Sequence, residues 1–324
     1  MKTLTIGSCD IDVFITPMLS SSLTQTDTDV SFRLGDKVPI NINGMYLGGN
    51  GSNVSVGLKR LGMESYFYSF FGNDLFSHLI HDSIDKEGVT LINHDGLGDN
   101  TSVSLIFDFD HDRVIFSHHD TREHKFNPST VDRYDAMYLT SIGKEWVGAY
   151  KEILTFIHAS SMMVAFSPGS PQFADLQDVV YEIIAASQLI FVNKEEGEKL
   201  LAKKGETATD VKDLLVKLSK MGPPTVSVTD GKEGAYAYRD GSFYFSKPFD
   251  TQAQTIDKTG AGDSYAAGFF AALLLGKDIK EAMRWGLVNS NSVMQKVGAE
   301  PGLLTPDTLE AQISSHADFQ IDSI

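Results

Sequence analysis

The residues best suited to chemistry sit in one run, Asp257-Lys258-Thr259-Gly260-Ala261-Gly262-Asp263, just ahead of a small and apolar stretch over 266–275. Gly260 and Gly262 permit backbone angles and close approach that side chains forbid, Thr259 offers a hydroxyl cap, and Ala266, Ala267, Phe270, Ala271 and Leu274 recur at helical spacing. The spacing predicts a glycine turn opening a buried helix. The first turn of such a helix presents unpaired N–H groups and the positive end of its dipole, which attract an anion, most readily phosphate. Asp263 stands in that turn. A carboxylate beside a phosphate repels it, so it needs a compensating use, and taking the proton of a hydroxyl that attacks phosphorus is such a use. Taken alone, the same residues also fit a capped core helix whose dipole Asp263 complements.

Six further places carry candidate side chains. Leu4-Thr5-Ile6-Gly7 reads as a short strand, and Asp12 lies just past its carboxyl end, where open α/β sheets place ligands. Its carboxylate can accept two hydrogen bonds from a vicinal diol, or it is simply a turn aspartate. Gly48-Gly49-Asn50-Gly51-Ser52-Asn53 leads into a helical pattern through Val54, Leu58 and Leu61, and this many glycines exceed what capping requires. A strand over 188–192 runs into Asn193-Lys194-Glu195-Glu196; the oxygens of Asn193 and Glu196 suit Mg²⁺ through retained waters, or they form a capping box. A β-branched strand over 225–229 ends in Asp230-Gly231-Lys232-Glu233-Gly234. Asn289, on a helical pattern over 279–297, either faces a ligand or supports packing. His118, His119 and Asp120 invite a metal reading, against which adjacent side chains on a strand point apart.

The elements that must position these residues read as an α/β rhythm of strand, turn and helix. Two segments break it: 30–42, with strand-like pieces at 30–33 and 38–42, and a β-hairpin over 101–117. Together they are expected to form a small antiparallel sheet covering the site, whose outer face a second subunit would bury. Residues 20–29 read as an irregular connection, and the tail 313–324 as polar and peripheral.

The net charge of −16 excludes polymeric nucleic acid and anionic membranes as natural partners, while leaving nucleotides available through helix N-termini and a divalent cation. The single cysteine, Cys9, cannot pair within the chain, no segment is apolar enough to span a bilayer, and Asp10 and Asp12 interrupt any leader-like run. A cytoplasmic protein is expected.

The run Asp257 to Asp263 resembles the C-terminal signature of the ribokinase-like (phosphofructokinase-B type) carbohydrate kinases, and the other matches fall in family order along nearly the whole chain. The resemblance implies a three-layer α/β/α domain with a mainly parallel central sheet (1–12, 48–99 and 121–324) and a β-sheet lid (13–47 and 100–120). It implies ATP and Mg²⁺ as cofactors, Asp263 as catalytic base, and the backbone of Gly260, Ala261 and Gly262 as the anion hole. Asp12, Gly48, Gly49 and Asn53 would bind substrate, Asn193, Thr229, Gly231, Gly234 and Asn289 the nucleotide, and Glu196 the metal through water. The expected substrate is a free sugar ahead of a nucleoside. Asn50 stands where ribokinases and phosphosugar kinases commonly have Lys, and around the hairpin Arg113, Arg122 and Lys125 are outnumbered by Asp108, Asp110, Asp112, Asp120 and Glu123, so the substrate should be uncharged. A non-catalytic sensor on the same fold is the competing reading. A dinucleotide oxidoreductase is disfavoured because no Gly-x-Gly-x-x-Gly follows the first strand.

Overall fold

A computed structural model describes the chain except for residues 19–22, 27–28, 94–99, 110–112, 120–122, 129–132 and 317. Asp110, Asp112, Asp120 and Arg122 therefore lie outside the described residues. The described strands are β1 (Lys2–Ile6), β2 (Asp10–Pro17), β3 (Leu23–Gln25), β4 (Val30–Phe32), β5 (Ile40–Gly48), β6 (Glu64–Ser69), β7 (Thr90–Asn93), β8 (Val103–Asp108), β9 (Arg113–His118), β10 (Ala136–Leu139), β11 (Met163–Phe166), β12 (Leu189–Asn193), β13 (Thr225–Thr229), β14 (Ala235–Arg239), β15 (Ser242–Ser246) and β16 (Asp322–Ser323). The α-helices are α1 (Asn50–Arg60), α2 (Leu75–Lys86), α3 (Val147–His158), α4 (Ser170–Ala174), α5 (Asp178–Ala186), α6 (Lys194–Lys203), α7 (Val211–Ser219), α8 (Ala261–Leu274), α9 (Ile279–Met294) and α10 (Pro306–Ser315).

A ten-stranded sheet in the order β16-β15-β14-β13-β12-β11-β10-β1-β6-β7 forms the middle layer, parallel from β13 to β7 and antiparallel beyond. Its central strands are short apolar runs because both faces are covered: all four residues of β10 are buried. One apolar cluster joins the sheet to α3, α5, α6 and α7, through residues such as Tyr150, Ile183, Leu200 and Leu215. A second joins the opposite face to α1, α8, α9 and α10, through Leu58, Phe270, Trp285 and Leu309. The three-layer α/β/α expectation holds. α8 is apolar all round and buried, and its small residues let it approach α9 backbone to backbone: a Cβ at Gly268 would lie 2.6 Å from Trp285 O.

The lid is a four-stranded sheet in the order β5-β2-β8-β9. It corrects the sequence reading in three ways. Asp12 lies in a strand rather than a loop, so the lid begins at Asp10 instead of residue 13 and reaches Gly48 instead of 47. Its central pair, β2 and β8, is parallel, so the sheet is mixed. The segment around 30–33 pairs with β3 in a separate two-stranded sheet. The tail is also not peripheral: β16 extends the central sheet, Ile321 is buried, and Phe319 packs edge-on against Phe249.

Strand alternation gives the lid two unlike faces. Ile11, Val13 and Ile15 join an apolar cluster with Leu47, Phe71 and Ile80, and the same face continues outward to Ile42, Met45, Leu105, Val114 and Phe116, all exposed. Asp10, Asp12 and Phe14 lie on the other face, in register with Ser104 and Ile106.

Candidate active site

β1 lies between β6 and β10, so the order of the chain reverses there and the strand ends splay into a crevice. Ser8, just past β1, donates its N–H to Ser141 O, just past β10, at 2.5 Å. A cavity of about 580 Å³ opens at this point, lined by Asp10, Gly49, Asn50, His119, Ser141 and Trp146 among others. A second cavity, of about 540 Å³, lies past β13 and the start of α8, lined by Thr229, Gly231, Gly234, Lys258, Gly262 and Asn291 among others.

Asp263 stands between the two. Its Oδ1 accepts from Asn50 Nδ2 at 3.0 Å and its Oδ2 from Asn53 Nδ2 at 2.8 Å. Burial pushes its carboxyl above the ordinary range, and the two amides pull in the opposite direction without cancelling that effect. The helix behind it starts without a side-chain cap. Gly260 is the N-cap at φ 73°, a left-handed conformation, and a Cβ there would overlap Ala299. Thr259 does not cap the helix as the sequence suggested, because its hydroxyl donates to Asp257 Oδ1 at 2.8 Å. Among the described residues no protein group accepts from the N–H of Gly262 or Asp263. A Cβ built at Gly262 meets nothing within 4 Å, so its surface is free for a ligand. The arrangement is an open anion hole beside a fixed carboxylate.

Asp257 anchors this turn to the lid. It accepts from Thr259 N at 3.0 Å and Gly298 N at 3.0 Å, and pairs with Arg113 of β9. Burial alone would raise its carboxyl, but these donors and the guanidinium outweigh burial and hold it below the usual range. At the substrate side, a Cβ at Gly48 would overlap the carboxylates of both Asp10 and Asp12, so only glycine fits between them. Asp12 is pushed up to about 6, mainly by burial and also by Asp257, against the Ser104 hydroxyl and Arg113. Asn53 is buried, and its Oδ1 has no partner among the described residues.

The remaining candidates fall differently. Asn193 and Glu196 make the full reciprocal capping box of α6, at 2.9 and 2.8 Å, which leaves Glu196 Oε1 uncommitted among the described residues. Burial raises the Glu196 carboxyl, and Asp263 is near enough to add to the effect. A single carboxylate with one open oxygen fits Mg²⁺ held through waters rather than caged by protein. Asn289 does not reach the second cavity. It is fully buried, donating to Ser264 O at 2.8 Å and accepting from Leu304 N at 3.0 Å, and the neighbouring Ser290 and Asn291 line the cavity in its place. His118 and His119 are both exposed, His119 at the edge of the first cavity, and no group of three potential metal ligands comes together among the described residues.

Sequence reasoning missed Asp10, Asn50 and the partner of Arg113. The signal for Asp10 was the alternation Asp10-Ile11-Asp12-Val13-Phe14-Ile15, which puts both aspartates on one strand face. Nothing local marks Asn50 or Arg113, whose partners lie 213 and 144 residues away.

Two cavities on either side of one carboxylate, one lined by Asn50 and the other by Gly262, beside a helix N-terminus without a side-chain cap, suit a phosphotransferase with an alcohol acceptor. The family profile described as pfkB family carbohydrate kinase matches residues 27–306, and the chain belongs to that family. It is 28% identical over 260 residues to an uncharacterized sugar kinase of Archaeoglobus fulgidus, covering 76% of this chain and 98% of that one. It is 23% identical to a nucleoside kinase of Methanothermobacter thermautotrophicus, covering 82% of each. Among solved structures, the Methanocaldococcus jannaschii nucleoside kinase superposes with a TM-score of 0.75 at 21% identity, covering 98% of this chain and 99% of that one. A putative ribokinase II from E. coli, in complex with ATP and Mg²⁺, superposes with a TM-score of 0.79 at 18% identity, covering 97% and 99%.

Proposed function

We propose that the protein transfers the γ-phosphoryl group of ATP to a hydroxyl of a small uncharged polyhydroxy substrate, a free sugar ahead of a nucleoside, with Asp263 as general base. The observation that carries this reading is the placement of Asp263, clamped by two amides from α1, between Asn50 on one cavity's lining and Gly262 on the other's, and next to N–H groups with no protein acceptor among the described residues. The substrate lies over Gly48 and Gly49 with its hydroxyls on Asp12 and Asn53 Oδ1. The attacking hydroxyl gives its proton to Asp263 as the bond to phosphorus forms. The N–H groups of Gly262 and Asp263 hold the charge on the transferring group, the Ala261 N–H being engaged by Lys258 O at 3.2 Å, and Lys258 on the cavity wall adds to this field. Thr229, Gly231 and Gly234 line the nucleotide's place, with Asn193 in register beside Thr229. Mg²⁺, when bound, neutralises the polyphosphate, and Glu196 Oε1 would hold it through water.

The charge of the substrate follows from the walls. Arg113, the lid cation nearest the floor, is already paired with Asp257, and Asn50 and Asn53 spend their amides on Asp263. Lys144 on the rim is accompanied by Glu145 and Asp175. Among the described residues the one ammonium on this cavity's lining is the exposed Lys144 at the rim, too little to match the dianion of a phosphorylated sugar. One observation favours a nucleoside as second reading: the cavity runs past Asp10 to Phe70, His124 and Trp146, an aromatic wall that a base could stack against. The exposed apolar outer face of the lid supports a homodimer closed through that face. The cytoplasm is the compartment that fits a lone, buried Cys9.

The test is a panel of neutral sugars, nucleosides and sugar phosphates with coupled detection of ADP. The highest kcat/KM should belong to a neutral polyhydroxy compound. A sugar phosphate at the top of the ranking would refute the charge argument, and the absence of ADP with every acceptor would favour the sensor reading.

A further inference from the structure

The floor of the substrate cavity contains an acid that the proposed reaction does not use. Asp10 and Asp12 project from the same face of β2, two residues apart, toward the backbone of Gly48 on β5. Asp10 Oδ1 and Asp12 Oδ2 lie 2.4 and 2.6 Å from the point that a Cβ at Gly48 would occupy, and so at most 5.0 Å from each other, within reach of one another by a small side-chain rotation. Asp10 lines the cavity with its outer edge, yet its Oδ1 is buried and has no hydrogen-bond partner among the described residues. Two ionised carboxylate oxygens held this close, one of them without any donor, repel each other with little water to screen them. A proton between them removes the repulsion and supplies the missing donor, as in the dyads that enzymes build from paired aspartates.

We propose that Asp10 and Asp12 share one proton across the Gly48 backbone at neutral pH, which makes Asp10 a specificity-determining partner of Asp12 and leaves the floor with one negative charge instead of two. Its meaning for substrate choice rests on the kinase reading, whereas the proton itself does not. A floor with one charge and one acidic hydrogen offers both acceptor and donor to a neutral polyol, and keeps a third negative charge away from Asp263 and the incoming phosphates.

The surrounding groups point the same way. Asp10 is held well above the ordinary carboxylate range by burial first, then by Asp12 and by Asp263 on α8. Asp12 is raised mainly by burial and also by Asp257, with the Ser104 hydroxyl of β8 and Arg113 of β9 opposing. Behind them the buried Cys9 thiol is raised by burial, by Asp10 and by Glu300. Lys144 and His119 stand on the cavity wall, and Lys144 is exposed to solvent. Among the described residues the guanidinium in this group, Arg113, pairs with Asp257.

The sign of the consequence is fixed. A carboxyl raised on folding binds more protons in the folded state than in the unfolded one, so its contribution to stability declines as pH rises above the unfolded value of about 4. Asp10→Asn removes that decline. Its melting temperature minus that of the wild type should therefore increase by several degrees between about pH 5 and about pH 8. Infrared difference spectra of the full chain across the same range should contain a protonated-carboxyl band whose titrating part is reduced by Asp10→Asn and equally by Asp12→Asn. Glu300, also raised by burial, to about 8, contributes separately, and Glu300→Gln identifies its share. If Asp10→Asn does not fold, Asp12→Asn and the wild-type spectra decide the question. A melting difference independent of pH, or a band that neither aspartate variant alters, overturns the shared proton. Because both readouts need no substrate, that failure is distinct from a failure of the kinase assay.

Discussion

Replacing Asp263 by Asn tests the base with the least disturbance of shape. The carboxylate accepts one amide on each oxygen, from Asn50 at 3.0 Å and Asn53 at 2.8 Å. An asparagine keeps one acceptor and turns an NH₂ toward the other amide, so one of the two hydrogen bonds is lost. That loss is about 1–3 kcal/mol for a buried donor left unpaired, offset in part because burial already disfavours the charged carboxylate. Stability should therefore change little. The chemical effect is larger: a positioned base contributes on the order of 10²–10⁴ in rate, or roughly 2.7–5.4 kcal/mol of transition-state stabilisation. With the best acceptor from the panel, Asp263→Asn should lower kcat at least ~10²-fold while ATP affinity, measured by fluorescence titration, stays nearly unchanged. The pH profile gives an independent check. Only ionised Asp263 can take the proton and burial raises its pKa, so wild-type kcat/KM should fall as pH drops through a value above the ordinary ~4, and the variant should lose this acid limb. A variant that keeps more than roughly a tenth of the turnover, or keeps the acid limb, would show that Asp263 is not the base.

Three further expectations follow from the same geometry. Asp12→Ala removes the carboxylate in register with Ser104 and should raise KM for the neutral substrate at least ~10-fold with little effect on KM for ATP; equal changes in both would point to a collapsed lid. Glu196→Gln can keep its contact to the Asn193 N–H but loses the charge, so the Mg²⁺ needed for half-maximal rate should rise; a lower melting temperature with unchanged Mg²⁺ dependence would reduce Glu196 to a helix cap. Light scattering at micromolar concentration should show a dimer that Leu105→Asp and Phe116→Asp weaken, whereas Ile106, which is buried on the opposite face of β8, reports on folding instead; a monomeric wild type would leave the lid's outer face unpartnered.

The parts of the site that were legible in the sequence share one property: their meaning is local. The turn at Gly260, the helix start at Gly49 and the box at Asn193 and Glu196 each announce a backbone geometry within a few residues, because glycine placement and caps are local chemistry. The β2 strand was misread because Asp10 and Asp12 look like loop residues until the apolar partners Ile11, Val13 and Ile15 are counted at period two. Asn289 failed in the opposite direction. A polar residue on a helix suggested ligand contact, but its amide satisfies the Ser264 carbonyl and the Leu304 N–H inside the core, and sequence carries no mark of a partner 25 residues away. The antiparallel extension β14-β15-β16 depends on a tail segment returning to pair with β15, a long-range choice that periodicity does not encode.

The way Asp263 is held would, on the proposed reading, tie substrate binding to phosphoryl transfer. Both amides that fix Asp263 come from the first turn of α1, whose entry passes over Gly48 and Gly49 and so shares its backbone with the substrate floor. On the other side, Asp257 fixes the turn that carries the anion hole and is itself held by Arg113 from the lid. On the proposed reading, a displacement of the lid would act on two groups at once: through Arg113 on the turn Asp257–Gly260, and through Asp12 on the acceptor's hydroxyls. Of the two, the Arg113 contact is the more consequential for rate. Asp257 is buried, and without its guanidinium it keeps only the hydrogen bonds from Thr259 and Gly298 to offset the cost of its charge. If the proposed function holds, a lid that opened would expose the acceptor and release Arg113 from Asp257 together, coupling acceptor binding to the order of the Gly260 turn.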